Sequence, residues 1–435
     1  MFKISEHIDK ISWTIADKII FLLYGFVNLT QIKYLGPTEA GKYTLLIMAN
    51  TWIMAIADSF GLQAIIQFGA RKEQRPRILA ISLINYLSII LFGSIIFWIF
   101  RGLISTILQA EYINQIANYI LILSITIAFR SYSQKIMYRE FYFKAIFISD
   151  LVFFGILTIY TFYYIFTLKY LTWELLTQIY IGAALTSSLV SLFLVRKHLK
   201  FSFKGEIKYK EIFNFSFPMA INSLLYNIPR TVEVFIIKYF FPIETVGVYS
   251  SAKTLFRVFD EIGNAVYGLI YPAATKLVQN KDIINLRKLM TKSTSFLFLF
   301  IIVLVIPLEL GFADILIKGF LSQKFVSAIP LFKFLLIGSL AFPFIAQSLI
   351  LISANDQWYL IKVLIVSNLT LVVAILFVGL TQSNYLLPLG VVLFNLTSGI
   401  LYYFRIKKKF DFEFKSIFSS IPDTFAYLKD KISKV

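Results

Sequence analysis

The chain has 435 residues, 58% of them hydrophobic and only 15% charged, with a mean hydropathy of +0.76. So few charges cannot keep so much apolar surface in water, which excludes an ordinary soluble protein and identifies an integral membrane protein. The formal net charge of +18 fits anionic lipid headgroups rather than nucleic acid, because the lysines and arginines cluster between apolar stretches.

With no cysteine in the chain, disulfides, thiolate metal sites and cysteine catalysis are excluded. His7 and His198 lie in charged flanks and cannot make a metal site alone, so neither metal nor cofactor is implied. No serine, histidine and aspartate pattern suggests a hydrolase. Met1 to Lys10 is polar and lacks the apolar core of a signal peptide.

Stretches of the roughly 20 apolar residues needed to cross about 30 Å of hydrocarbon fall near 12–33, 43–66, 78–100, 114–134, 145–168 and 174–195. The second half contributes 212–237, 246–273, 293–313, 329–353, 360–380 and 385–405. The fold expected is all-α integral membrane, with twelve transmembrane helices in two six-helix lobes, 1–200 and 201–406. The segment 196–212 is the longest polar connection and reads as the linker between lobes.

Connections alternate in charge. One side holds Arg71, Lys72, Arg75 and Arg77, then Lys135, Arg139 and Lys144, then Arg196, Lys197, Lys200, Lys204, Lys208 and Lys210. Lys276, Lys281, Arg287, Lys288 and Lys292 continue it, whereas the other side has only scattered cations such as Lys42, Arg101, Lys169, Lys318 and Lys324. The richer side, and both termini, should therefore face the cytoplasm. A basic tail, 407–435, carries Lys407 to Lys409 and then Phe412, Phe414, Ile417, Phe418 and Ile421. It reads either as a helix lying on the inner leaflet or as a frayed end.

One pattern occurs twice. Ile32, Lys33, Tyr34, Pro37, Glu39, Gly41 and Tyr43 match Ile237, Lys238, Tyr239, Pro242, Glu244, Gly247 and Tyr249, with one residue fewer between Glu and Gly in the first copy. Each copy ends one span and begins the next. With six spans per half, both halves enter from the same side, so the repeat is parallel and both copies should lie on the outer face. Gly36 to Lys42 has phosphate-loop spacing, but Tyr43 stands where a magnesium-binding Ser or Thr is needed and no strand precedes it. It is a tight interhelical turn.

Charges within spans are expensive in lipid, about 2.5–3.5 kcal/mol each on insertion scales, so they should face protein or a wet cavity. Asp17, Tyr24, Asn28 and Gln31 share one face of the first span, with Lys18 beside them, and the second span adds Asn50 and Asp58. Arg130, near the cytoplasmic end of the fourth, suits snorkelling. The densest cluster is Asn222, Asn227, Arg230 and Glu233 in the seventh span, with Pro229, and Lys253, Arg257, Asp260 and Glu261 in the eighth. These cations either neutralise nearby acids along the helix or line a solvated anion site. Lys253 has no acid within helical reach. Glu309 and Lys333, near the outer ends of their spans, read as interfacial.

These residues resemble the polysaccharide flippases of the multidrug/oligosaccharidyl-lipid/polysaccharide (MOP) exporter superfamily, which include the O-antigen and capsule repeat-unit translocases. The resemblance is carried by Tyr34 to Tyr43, Asp58-Ser-Phe-Gly-Leu62, Phe215-Ser-Phe-Pro218, Gly247 to Lys253 and Tyr271 to Lys276. It departs in the seventh span, where the acidic-basic pair is shifted to Arg230 and Glu233. The resemblance implies two lobes around a central cationic cavity, and an undecaprenyl-pyrophosphate-linked oligosaccharide moved from inner to outer leaflet in concert with a polymerase and chain-length machinery. It makes Arg230, Lys253, Arg257 and Lys18 the candidate pyrophosphate ligands. Asp17, Asn28, Asp58, Glu233, Asp260 and Glu261 become the polar and ion-coupling candidates. A small-molecule antiporter of the same fold, a flippase for another cell-wall precursor and a membrane polymerase are the competing readings. The last should have a large outward loop, which the spacing of the spans leaves no room for.

Overall fold

The computed structural model describes residues 8–69, 72–354 and 356–413, and every element among them is helical. Backbone groups in hydrocarbon have no water to bond, so a spanning segment must satisfy them within itself. The chain forms two compact units, Met1–Gly247 and Val248–Val435.

The first unit opens with α1 (Ile8–Ala57), which runs through two predicted spans and is broken only at Gly36, at φ 74 and ψ 169, with Pro37 next. Such a backbone strains any residue with a Cβ, so glycine sets the turn. A π-helical turn at Asp58–Leu62 leads into α2 (Gln63–Phe68), α3 (Arg75–Ile99), α4 (Arg101–Leu108), α5 (Ile113–Arg139), α6 (Phe143–Leu168) and α7 (Trp173–Val195). Helix α4 is not among the predicted spans: it is too short to cross. Then come α8 (Tyr209–Asn227), a π-helical turn at Ile228–Val232 and α9 (Glu233–Phe240).

Lipid is as apolar as leucine, so helices in it associate through small residues and interhelical hydrogen bonds. Ser124, Ser149, Ser187 and Ser191 are accordingly buried. Ser124 donates to Asn50 Oδ1 at 2.8 Å, and Gln31 Nε2 donates to Thr161 Oγ1 at 2.8 Å. Gly61 marks a close helix approach, since a Cβ there would lie 2.6 Å from Tyr86 Cβ. Leu62, Ile65, Tyr86, Tyr132 and Met137 pack around it as a buried cluster.

Helix α10 (Ile243–Gln279) begins at the end of the first unit. The second unit continues with α11 (Ile283–Pro307), α12 (Ala313–Leu316), α13 (Ala328–Ser339), α14 (Phe342–Ile345), α15 (Ser348–Ser353), α16 (Gln357–Thr381) and α17 (Leu389–Phe410). Leu286, Met290, Leu351, Tyr402 and Phe412 share one buried core there. At one end Arg405 clamps Asp356 with Nε at 2.7 Å and Nη2 at 3.0 Å, and Lys409 Nζ adds a 3.4 Å contact.

Among the described residues, eight helices are long and apolar enough to cross a membrane, or nine if α13 with α14 and α15, bent by 41°, is one span. The twelve predicted spans nevertheless fall mainly in helix, with turns at 340–341 and 346–347 in one and at 387–388 in another. The shortfall has physical causes. The 57-residue run Ser12–Phe68 is long enough, at 1.5 Å per residue, for roughly two crossings joined at Gly36. Segment 209–240 carries Asn222, Asn227, Arg230 and Glu233, and α10 is likewise rich in polar and charged residues.

One expectation changes, for Phe412. The polar connection 196–212 is itself held down: Arg77 Nη1 donates to the carbonyls of Phe203 and Gly205, and Gln74 Oε1 accepts the Glu206 N–H at 2.9 Å. Phe412, grouped above with the surface tail, is buried in the second-unit core. Phe414, Ile417, Phe418 and Ile421 lie outside the described residues.

Candidate ion and anion sites

The two copies of the repeated motif meet each other. A Cβ on Gly247 would lie 1.8 Å from the Pro37 carbonyl oxygen, and one on Gly41 would lie 2.2 Å from that of Ile243. Only glycine allows backbones this close, and the contact puts both copies on one face, as a parallel repeat requires. The remaining motif residues brace the turn. Glu39 Oε1 pairs with Lys42 at 2.7 Å, Glu39 Oε2 accepts the Trp173 N–H at 3.0 Å, and Lys238 Nζ donates to Leu108 O at 2.8 Å.

A polar cluster lies inside the first unit. Arg130 from α5 pairs with Asp150 from α6, both side chains only 14% exposed. Its Nε donates to Ser187 Oγ at 3.1 Å, and its guanidinium stands 4.3 Å from the Phe153 ring centroid. Gln134 Nε2 donates to the same Asp150 oxygen at 2.5 Å, and Ser149 Oγ bonds Ser191 Oγ at 2.7 Å. Asp17 is close enough to interact with Asp150 and Arg130, while its Oδ1 is buried without a hydrogen-bond partner among the described residues. Two carboxyls and one guanidinium thus meet here, with the exposed Lys18 ammonium also acting on Asp17. The snorkelling expected of Arg130 is replaced by this pairing, because α5 and α6 bring Asp150 within reach. Asp150 is absent from the residues singled out by sequence, although a lone acid in an otherwise apolar span is a usable signal.

Other candidates have more local surroundings. Asp58, at the head of its π turn, meets Lys135 Nζ at 3.2 Å and Gln63 Nε2 at 3.2 Å. Tyr24 Oη donates to Gln31 Oε1 at 3.4 Å, so half of the polar face of the first span is used in packing against α6. Asn28 is half-buried and Lys18 exposed, the latter 6.0 Å from the Phe21 ring centroid. Lys333 pairs with Asp314 at 2.9 Å.

The π turn at Ile228–Val232 inserts an extra residue into the turn, so it changes which way flanking side chains point. Arg230 is exposed and Glu233 fully buried. Arg230 Nη2 donates to Tyr226 Oη at 2.9 Å, its guanidinium 4.6 Å from that ring centroid. Asn227 is anchored through Ser223, whose Oγ donates to Ala55 O at 3.0 Å. In the second unit Lys253 is half-buried with Nζ 5.5 Å from the Tyr249 ring centroid. One helical turn apart beyond it, Arg257 and Glu261 are exposed, and Asp260 is half-buried. No group of three or more His, Cys, Asp or Glu side chains among the described residues is arranged to hold a metal.

The family model described as polysaccharide biosynthesis protein matches residues 33–330. The chain belongs to that family. Among solved structures it is similar to an inward-facing multidrug resistance MATE family transporter of the MOP superfamily, with a TM-score of 0.75 at 14% identity over 89% of this chain and 94% of the other. It is similar to the lipid II flippase MurJ in an inward closed conformation, with a TM-score of 0.74 at 14% identity over 97% of this chain and 93% of that one. A MOP superfamily transporter from Pyrococcus furiosus gives a TM-score of 0.61 at 14% identity, covering 91% and 93%. No curated protein matches. At these identities the likeness establishes the fold: a multi-pass membrane protein built as MOP superfamily transporters are.

Proposed function

We propose that this protein moves an undecaprenyl-pyrophosphate-linked oligosaccharide repeat unit from the inner to the outer leaflet of a bacterial cytoplasmic membrane. It does so by alternating access in two six-helix lobes, 1–200 and 201–406, with both termini in the cytoplasm, and supplies the polymerase that extends the polysaccharide. Membership of a polysaccharide biosynthesis family with this fold carries the reading. It is supported by Arg230 and Arg257, which are exposed although they lie within spans. A diphosphate cannot cross hydrocarbon unpaired, and charge-assisted bonds from Arg230, Lys253, Arg257 and Lys18 would replace its hydration. The polyprenyl chain can stay in lipid.

Lys253→Ala and Arg230→Ala are expected to leave protein levels near normal while surface polysaccharide disappears and lipid-linked units accumulate on the inner leaflet. Lys253→Arg keeps the charge and should retain part of the export. Normal export by a well-expressed double alanine variant would remove both residues from the mechanism.

The Asp17, Arg130 and Asp150 cluster favours ion coupling as the drive. Its two carboxyls share one interior guanidinium, with only the exposed Lys18 beside Asp17, so one carboxyl can take up and release a proton or monovalent cation, and Asp58, Glu233, Asp260 and Glu261 are further candidates. An interior negative by 100 mV would add about 2.3 kcal/mol per negative charge moved outward across the field. Small-molecule antiport, the competing reading, would be favoured if deleting the protein left surface polysaccharide intact.

A further inference from the structure

We infer that the first unit carries a binding site for an anionic phospholipid of the inner leaflet, separate from the residues assigned to transport. The start of α1, the α5–α6 turn and the end of α7 enclose a recess of about 380 Å³. Trp13, Phe143, Ile148 and Leu194 make its apolar wall, and Tyr142 and Lys144 stand with them.

The turn is built to present aromatic rings. Helix α5 ends with the Tyr142 N–H bonded to Met137 O at 2.9 Å and the Phe141 N–H to Tyr138 O at 3.2 Å. This closure places Phe141 at φ 56, a left-handed position that glycine or asparagine normally fills. Phe141 and Tyr142 are left 58% and 44% exposed, as rings at a headgroup boundary are.

Charge completes the fit. Lys144 Nζ lies 5.5 Å from the Trp13 ring centroid and makes no ion pair among the described residues. His198 Nε2 is 3.1 Å from Tyr142 Oη, and Arg196 and Lys197, just beyond Leu194, are exposed. The nearest acid in sequence, Glu140, is occupied by Arg75 at 2.9 Å. A phosphodiester at Lys144 with an acyl chain against Trp13, Phe143 and Leu194 matches both halves of the recess, whereas free phosphate would leave the apolar wall unused. The leaflet follows from the positive-inside assignment of the Arg139–Lys144 connection.

The test uses the purified full chain in neutral detergent, titrated with phosphatidylglycerol or phosphatidylcholine brominated on the acyl chains. The part of tryptophan quenching lost in Trp13→Phe reports the recess. Quenching of Trp13 should saturate at lower phosphatidylglycerol than phosphatidylcholine, and Lys144→Gln should weaken the former about fivefold while Lys144→Arg retains it. Lys144 is exposed, so neither change threatens the fold. Equal quenching by both lipids, or no effect of Lys144→Gln, would overturn the proposal. So would displacement by inorganic phosphate, which would mark a simple anion site, or stronger competition by undecaprenyl pyrophosphate, which would make the recess part of the transport path.

Discussion

Arg130 and Asp150 illustrate how an interior ion pair is decided residue by residue. Each is nearly enclosed, and Asp17 stands by both, so removing Arg130 leaves Asp150 without its guanidinium. Arg130→Ala should therefore destabilise the protein by about 3–5 kcal/mol, read as a fall in thermal midpoint in detergent. The double variant Arg130→Met, Asp150→Leu should recover most of that loss, and equal instability of single and double variants would show that the pair does not act as a unit. Asp356 offers a contrast outside the spans. The Arg405 guanidinium, then Lys409, hold its carboxyl below the usual carboxylate range. A depressed pKa contributes stability above the unfolded value, about 3.9, and that contribution fades only as pH falls through the lower folded value. The clamp between α16 and α17 should thus be unaffected from pH 7 to pH 5, whereas Asp356→Asn should lower the midpoint throughout that range.

At the scale of elements, the meeting of the two motif turns depends on two glycines. Gly247→Val forces a side chain onto the Pro37 carbonyl and should part the turns. Since the chain lacks cysteine, Ala40→Cys gives a clean probe: Ala40 is only 4% exposed, and its labelling by an impermeant maleimide should rise sharply in the Gly247→Val background. Gly155, where an added Cβ would meet nothing within 4 Å, is the control. Gly155→Ala should be neutral or stabilising by about 0.5–1 kcal/mol, as expected within a helix. Unchanged labelling in the valine variant would mean that the turns are held together by something other than this contact.

For the whole molecule the testable property is sidedness. Single cysteines at Arg75, Lys204 and Lys281 should resist impermeant reagent in intact cells, and those at Glu39, Glu174 and Gln382 should react. Reaction at position 204 would invert or break the map, and with it the leaflet given to the lipid recess.

Membrane class, the spacing of the spans and the repeat were legible in the sequence because each depends on local hydropathy or on short motifs. Hydrocarbon imposes the helix on any apolar stretch, and Gly36 needs no partner to make its turn. What residues in different helices do to each other was not legible. Arg130 has the position of a snorkelling cation until α6 places Asp150 against it. Tyr24 and Gln31 read as a face turned either to protein or to a wet cavity until Thr161 takes up the Gln31 amide. Gly41 and Gly247 are readable as a repeat but not as a contact, since no periodicity reports which backbones approach. Phe412 has the basic flanks of a membrane-surface residue, yet it is buried. The sequence alone sets the cost of each charge in a span; only the packing of α1, α5 and α6 decides that Asp17, Arg130 and Asp150 come together inside the protein.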